Sequence, residues 1–282
     1  MNNSEIYLSS SFQACKKLTN NFSTSFSMGI YFLGKKIRNP IYSIYGFVRV
    51  ADEIVDTFFD IDQTNELNEF HQLTKDAITN SYSSNLILHA FQHVVNKYNI
   101  DRDLIAAFFD SMKSDLTEKK YDRESYKKYI YGSAEVVGLM CLYVFLSGNN
   151  NKYNELKYFA RKLGSAFQKV NFLRDFQEDY QFKGRAYFPE LKIDGELNQS
   201  LKVQIESDIQ KDFDSAKEGI SKLPRSSRLG VYLAYRYYTK LLKKLKSTPV
   251  DKLMTTRIRV NNFEKFLLFP PALLFTIFMR KS

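Results

Sequence analysis

Acidic residues on an otherwise apolar helix constrain this chain more than any other feature of its sequence. At about 100° per residue, one narrow helical stripe carries Tyr45, Arg49, Asp52 and Asp56. Apolar side chains occupy most of the other sides of this segment. A helix that is apolar all round is buried, so we expect the polar stripe to be buried too or to line a cavity.

A second segment repeats the pattern. Another helical stripe carries Gln168, Asn171, Asp175 and Asp179, with Arg174 beside it. A single Asp-x-x-x-Asp on a helix is usually a solvated face, but two copies on apolar helices, each next to an arginine, favour a functional site. Four convergent carboxylates would repel one another unless cations lay between them. Oxygen ligands predict Mg²⁺, or alternatively Mn²⁺, and Mg²⁺ leaves positions open for phosphate oxygens. The two stripes therefore predict a clamp for a diphosphate.

Length and composition favour one all-α domain over residues 1–282, with 263–282 as a basic and apolar C-terminal tail. Only 11 glycines and 6 prolines are present, which suits long helices. The two cysteines form no disulfide framework, and the N-terminus lacks the features of a signal peptide, so we expect a cytoplasmic protein.

Hydrophobic periodicity predicts the helices along the chain. The first two are expected over residues 4–20 and from Pro40 onward, with Asn39 as the N-cap of the second. The others are expected at 65–79, 83–98, 101–117 (capped by Asp101), 124–147, 152–180, 199–222 and 226–247.

Three local patterns each allow two interpretations. The hydroxyls of Ser23–Ser27 either cap a helix, the better supported reading, or bind phosphate at a helix N-terminus. Gly132 and Gly138 either allow close helix packing or leave room for a long ligand. The basic residues of Lys183–Pro189 either cover bound phosphates or form a solvated turn.

The positive charge lies in the C-terminal part. Residues 183–282 hold 20 Lys and Arg against 10 Asp and Glu, whereas residues 1–182 hold 21 of each. No nucleic-acid-binding motif accompanies this excess, so we expect no nucleic-acid partner. The apolar run at 266–279 is too short, and too interrupted by prolines, to cross a bilayer. Basic and apolar residues together predict peripheral attachment to anionic lipid, with core packing or a dimer contact as the alternative.

A diphosphate clamp in an aromatic, helical cavity suits the ionisation of an allylic diphosphate. Metal ions would neutralise the charge on the leaving group, and a dry pocket would protect the carbocation. The tyrosines near 232–238 are either core residues or stabilise such a cation through their rings.

At this point the sequence resembles the squalene/phytoene synthase family, from about Ser23 to Tyr238. The matching motifs are Ser23–Ser27, Tyr45–Arg49 leading into Asp52-x-x-x-Asp56, Tyr131-Gly132, Gln168-x-x-Asn171-x-x-Arg174-Asp175-x-x-x-Asp179 and Arg185–Pro189. The family often has Asp-Asp at the start of the first motif, where this chain has Asp52-Glu53.

The resemblance implies the isoprenoid synthase fold, with helices around a central cavity, and head-to-head condensation of two prenyl diphosphates. Site residues follow by position. Metal ligands would be Asp52, Asp56, Asn171, Asp175 and Asp179. The diphosphates would contact Ser23, Ser25, Arg49, Arg174 and Tyr238. Tyr131 and Gln168 would line the site near the reacting carbons.

Bacterial phytoene synthases are the most similar members, which implies geranylgeranyl diphosphate as substrate and a role in carotenoid biosynthesis. One alternative is a C30 enzyme that uses farnesyl diphosphate. Another is a non-catalytic relative that acts in assembly, although the retained aspartates argue against it. A terpene cyclase acting on one diphosphate would normally show a different second motif. No dinucleotide motif is present, so we expect no NADPH. The sequence does not determine the oligomeric state.

Overall fold

The computed structural model describes residues 2–182, 184–191 and 197–278, and within them it is built from helices. These residues contain no β-strand, and the one isolated bridge joins Lys120 to Ala186. The predicted all-α class is confirmed. The α-helices used below are α1 (Asn3–Phe22), α2 (Thr24–Tyr31), α3 (Lys35–Asp56), α4 (Gln63–Asn80), α5 (Leu86–Tyr98), α6 (Arg102–Thr117), α7 (Arg123–Ile130), α8 (Val136–Phe145), α9 (Asn150–Arg174), α10 (Gln199–Lys222), α11 (Arg225–Lys246), α12 (Val250–Leu253), α13 (Asn262–Leu267) and α14 (Phe269–Phe278).

Helices α2, α3, α6 and α8–α11 surround a central cavity. Helices α1, α4 and α5 pack outside α3 and contribute to the first of two large apolar clusters. In that cluster the ring of Phe47 stacks on Phe91 with centroids 3.8 Å apart. In the second cluster Phe172 stacks on Tyr187 at 4.0 Å. The cavity thus lies between two cores that hold its walls in place.

Helix α3 begins earlier than predicted. Its N-cap is Gly34, so the assignment of Asn39 as N-cap was wrong, and Pro40 lies inside the helix. Proline inside a helix removes one backbone hydrogen bond. Ile37, Pro40 and Ile41 are all buried, and their packing compensates for that loss because tertiary burial contributes more than local preference.

The predicted helix at 124–147 is divided by one π-helical turn at Tyr131–Glu135, between α7 and α8. A Cβ atom at Gly132 would lie 2.4 Å from the carbonyl oxygen of Ala107. A Cβ atom at Gly138 would lie 2.9 Å from the carbonyl oxygen of Ala160. Both glycines therefore serve close helix packing, and Gly138 also lines the cavity.

The predicted helix at 152–180 also differs from the structure. Helix α9 ends at Arg174, Asp175 is its C-cap, and a second π-helical turn covers Glu178–Phe182. Backbone hydrogen bonds still join Asp175 N–H to the Asn171 carbonyl at 2.8 Å and Asp179 N–H to the Asp175 carbonyl at 3.0 Å. The two aspartates therefore stay one turn apart even though the regular helix has ended.

The remaining helices lie close to their predicted positions, and Asp101 caps α6 as expected. The C-terminal run forms two short helices, α13 and α14, with Met279–Ser282 outside the described residues. Among the helices that the structure describes, none is both long and apolar enough to cross a membrane.

Helices α9 and α10 are joined by a buried ionic network centred on Asp212. Its carboxylate accepts hydrogen bonds from Lys162 Nζ, Ser165 Oγ and Lys169 Nζ, each at 2.7 Å. Burial by itself raises the pKa of Asp212, but these three donors outweigh it and hold the pKa below its ordinary value. The network fixes α9, which leads directly into the second aspartate motif.

Replacing Asp212 with Asn should lower the free energy of unfolding by about 3 kcal/mol, because Lys162 and Lys169 both lose a buried counterion and Lys169 keeps only the exposed Asp208. The contribution of a carboxylate with a lowered pKa is fully present above its unfolded-state pKa and is lost as the pH falls from there through its folded-state pKa. The difference between the two proteins should therefore shrink as the pH falls below about 4. Urea unfolding followed by circular dichroism measures this. Asp214→Asn, at an exposed position of the same helix, is the control. An equal loss in both variants would contradict the assignment.

Candidate active site

The central cavity is polar at one end and apolar along the rest of its length. Its volume is about 350 Å³. The polar lining at this end comes from α3 and α9 and comprises Tyr45, Arg49, Asp52, Gln168 and Asn171. The side chains of Arg49 and Asp52 are 28% and 36% exposed, so solvent reaches this end. Farther along, the wall is formed by residues such as Phe145, Leu156 and Leu223.

The first aspartate motif lies on the last two turns of α3. Arg49 Nη1 donates to Asp52 Oδ2 at 2.7 Å, and Arg49 Nη2 pairs with Glu53. The Nε–H of Arg49 is buried and has no hydrogen-bond partner in the part of the chain that the structure describes. Buried donors are normally satisfied, so this group is available to an anionic ligand.

The second motif carries a comparable set of ion pairs. Arg174 binds the carboxylate of Asp175 through both Nε, at 2.8 Å, and Nη2. Arg257, from the segment after α12, also contacts Asp175, with Nε at 2.7 Å from Oδ1. The Tyr238 hydroxyl donates to Asn171 Oδ1 at 3.3 Å. Sequence reasoning did not identify Arg257, because its contact spans more than 80 residues of chain.

A buried cluster behind the first motif was also missed. Arg185 Nη1 donates to Asp56 Oδ1 at 2.6 Å, and Nη2 donates to the backbone carbonyl of Asp115 at 3.0 Å. The Asp115 carboxylate accepts hydrogen bonds from the hydroxyls of Tyr129 at 2.6 Å and Tyr187 at 3.2 Å. Burial raises the pKa of Asp115 to about 7, against the lowering effect of Arg185. The sequence did contain a signal for this cluster, because Asp115 lies on the otherwise apolar face of the predicted helix at 101–117.

The basic loop proposed at Lys183–Pro189 is therefore not a solvated turn at Arg185, whose side chain is 8% exposed. The backbone N–H of Arg185 also donates to the Asp179 carbonyl at 2.7 Å. Lys183 itself lies outside the described residues. This segment connects the second motif to the first.

Ser23 caps α2, since its Oγ accepts a hydrogen bond from Phe26 N–H at 3.1 Å. This confirms the capping interpretation. Burial raises the pKa of the Tyr45 hydroxyl, against the lowering effects of Arg49 and of the Ser23 side chain. Ser25 is half-buried in the first turn of α2. The first motif thus lies next to the N-terminus of α2.

Aromatic rings enclose the cavity near its polar end. The ring of Tyr238 stacks on Phe167 with centroids 4.0 Å apart and lies 6.0 Å from Phe26. Burial raises the pKa of Tyr238, so this hydroxyl stays protonated. Tyr131, which the family resemblance placed near the reacting carbons, lies in the first π-helical turn with the Arg161 guanidinium 5.2 Å from its ring. It is not among the residues that line the cavity.

The donors at the polar end are carboxylate and amide oxygens, the ligands that Mg²⁺ prefers. The described residues contain no group of three or more His, Cys, Asp or Glu that could hold a metal ion. Mg²⁺ commonly takes only one or two carboxylates and completes its shell with water and phosphate oxygens. The donor set therefore fits Mg²⁺ in its chemistry and does not form a closed protein cage.

Known protein sequences are similar to this chain along most of its length. The family model described as squalene/phytoene synthase matches residues 19–264. A 4,4'-diapophytoene synthase of Staphylococcus haemolyticus is 23% identical over 280 residues, covering 93% of this chain and 96% of the relative. A phytoene synthase of Arthrospira platensis is 26% identical over 293 residues, covering 94% and 93%.

Solved structures show the same fold. A dehydrosqualene synthase in complex with a ligand superimposes with a TM-score of 0.82 at 21% identity, covering 95% of this chain and 97% of the other. Squalene synthase HpnC from Alicyclobacillus acidocaldarius gives 0.75 at 19% identity, covering 86% and 97%. These likenesses confirm the isoprenoid synthase fold, and together with the sequence match they establish that this chain belongs to the squalene/phytoene synthase family.

Proposed function

We propose that this protein is a phytoene synthase, which condenses two geranylgeranyl diphosphates head to head. One observation carries the proposal: a long apolar cavity ends at Asp52 and Asn171, next to Arg49. This arrangement suits a substrate with an apolar chain and a multiply charged head. The relatives carry both phytoene and diapophytoene names, so the choice of the C20 substrate rests on the motif similarity to bacterial phytoene synthases.

In the proposed first step, the C–O bond of one diphosphate breaks and its electron pair leaves with the diphosphate. The π electrons of the other substrate's double bond attack the resulting carbocation, and loss of a proton closes a cyclopropane. In the second step the remaining C–O bond breaks, the skeleton rearranges, and loss of a second proton gives phytoene. Two diphosphates and two protons are released, and no reductant is consumed.

The arginines of the two motifs would bind the diphosphate oxygens. Arg49 offers its unpaired Nε–H, and Arg174 is held on the second motif by Asp175. Mg²⁺, when bound by Asp52, Asp56, Asn171, Asp175 and Asp179, would neutralise negative charge on the leaving group. Preorganised charges of this kind act strongly because the site needs little rearrangement when the bond breaks.

The apolar wall and the aromatic rings would protect the cation. Phe26, Phe167 and Tyr238 lie next to one another near the polar end, where a positive charge would form. Ring quadrupoles attract a desolvated cation, and the same side chains exclude water that would quench it. Gln168 lines this region, and Ser23 and Ser25 bring the N-terminus of α2 toward the phosphates.

Incubation with Mg²⁺ and either geranylgeranyl or farnesyl diphosphate tests the function. We expect a C40 hydrocarbon from the C20 substrate, two diphosphates released per product, and no turnover after addition of EDTA. Mass spectrometry and a phosphate assay measure these. A C30 product from farnesyl diphosphate alone would retain the chemistry and reject the C20 assignment. If neither substrate yields hydrocarbon or diphosphate, the result would favour a non-catalytic relative.

Asp52→Asn and Asp175→Asn should each lower kcat at least about 100-fold, because each removes a charge that would hold the metal ion. Steady-state kinetics with geranylgeranyl diphosphate measures the loss, and thermal unfolding checks that the fold is intact. Asp60→Asn, in the exposed loop after α3, is the matched control and should keep full activity. Near-normal turnover in Asp52→Asn or Asp175→Asn would reject the metal-clamp assignment.

Arg185→Lys should lower kcat/KM by about 10- to 100-fold, since lysine cannot reach both Asp56 and the Asp115 carbonyl. Arg185 acts here as a positioning residue, so kcat should fall more than KM rises. The control is Arg161→Lys, which alters an exposed arginine paired with Glu135. Equal kinetics in the two variants would show that Arg185 does not position the first motif.

A further inference from the structure

The two C-terminal helices, α13 and α14, leave large apolar side chains in solvent. We call this set the tail face: Phe263, Phe266, Leu267, Leu273 and Leu274. Phe263 and Phe266 are 71% and 69% exposed. Single exposed apolar residues are ordinary, but a cluster along one short segment marks an interaction surface.

The opposite side of the same helices is fixed to the body of the protein. Leu268 and Ala272 are buried, and the ring of Phe269 stacks on Phe32 of α2 at 4.5 Å. Apolar side chains therefore occupy both sides of the segment, and only one of these sides is packed. An apolar face left in solvent beside basic residues suits binding at a membrane surface.

The tail lies next to the polar end of the cavity. Lys265 Nζ donates to Thr24 Oγ1 at 2.6 Å, and Thr24 follows the Ser23 cap. Arg257, a few residues before α13, contacts Asp175 of the second motif. Any partner of the tail face would therefore lie near the opening of the cavity.

A second exposed apolar set borders the same opening. We call it the α3–α4 loop set: Phe58 and Phe59, which are 53% and 64% exposed, and Ile61, which is 46% exposed. They follow directly after Asp56, the last residue of the first motif. An open groove lined by Phe22, Arg49, Phe58 and Ile61 adjoins them. Phe22 is only two residues from Thr24, the partner of the tail lysine.

Charge identifies the partner. From residue 219 onward the chain has 14 basic and two acidic residues. Arg257 and Arg259, just before α13, are both exposed. A second copy packed on this face through a two-fold axis would bring the same cations together. An anionic lipid surface instead attracts them.

We propose that the tail face and the α3–α4 loop set dock on an anionic membrane, so that the opening of the cavity faces the lipid. Docking itself follows from the surface alone. The role of docking in catalysis rests on the proposed function: prenyl chains would enter the cavity from the bilayer, and the C40 hydrocarbon would return to the bilayer without crossing water.

Co-sedimentation of the full chain with vesicles tests docking. We expect binding to vesicles of phosphatidylglycerol and phosphatidylcholine in equal parts, and much weaker binding to phosphatidylcholine alone. A Phe263→Ser/Phe266→Ser variant should bind at least about tenfold less, because it removes two inserted rings. The control is Tyr158→Ser/Val203→Ser, which alters residues on α9 and α10 of 53% and 52% exposure.

Equal binding by the tail variant and the control, or equal binding to both lipid mixtures, would overturn the proposal. If the wild-type protein is a dimer in solution and the tail variant is a monomer, the partner of the tail face is a second copy of the chain and not a membrane. Turnover of detergent-dispersed substrate is measured in parallel and should be unchanged in the tail variant. Inactive wild-type protein in that assay would reject the proposed function and leave the docking result valid.

Discussion

The two aspartate motifs depend on one buried guanidinium. Arg185 contacts the carboxylate of Asp56 and the backbone of Asp115 through its side chain, and its own N–H binds the Asp179 carbonyl. A buried charge is costly unless it is paired and fully hydrogen-bonded, and this set of contacts meets both conditions. Since the partners belong to α3, α6 and the end of the second motif, their distances from one another are fixed together.

Arginine also balances the other acidic side chains at the polar end. Asp52 is paired with Arg49, and Asp175 with both Arg174 and Arg257. Guanidinium groups bind carboxylate and phosphate with the same fork geometry. In the proposed function, the same arginines that hold the aspartates in this structure would turn to a diphosphate. The Nε–H of Arg49 has no hydrogen-bond partner among the described residues, so this end of the cavity still offers a donor.

Glycine and π-helical turns set how closely the cavity walls approach. Gly164 of α9 faces the carbonyl oxygen of Ala134, and a Cβ atom there would lie only 2.5 Å from it. The π-helical turn at Tyr131–Glu135 occurs at this close contact, between α7 and α8. Such turns are rare and concentrate at functional sites, where they re-aim side chains. Sequence periodicity assumes a uniform helix, so it placed this stretch in one helix. The assignment of Tyr131 to the site came instead from the family resemblance.

The sequence alone determined the features that depend on neighbours along the chain. Apolar periodicity located the helices, and the four-residue spacing placed Asp52 beside Asp56 because that spacing is one helical turn. Only the tertiary structure decided how charges far apart in the chain are paired. The contact of Arg185 with Asp56 spans 129 residues. Such pairs form because burial removes much of the solvent around the charges. Which partner is near depends on how whole helices pack, and no local pattern in the sequence records that.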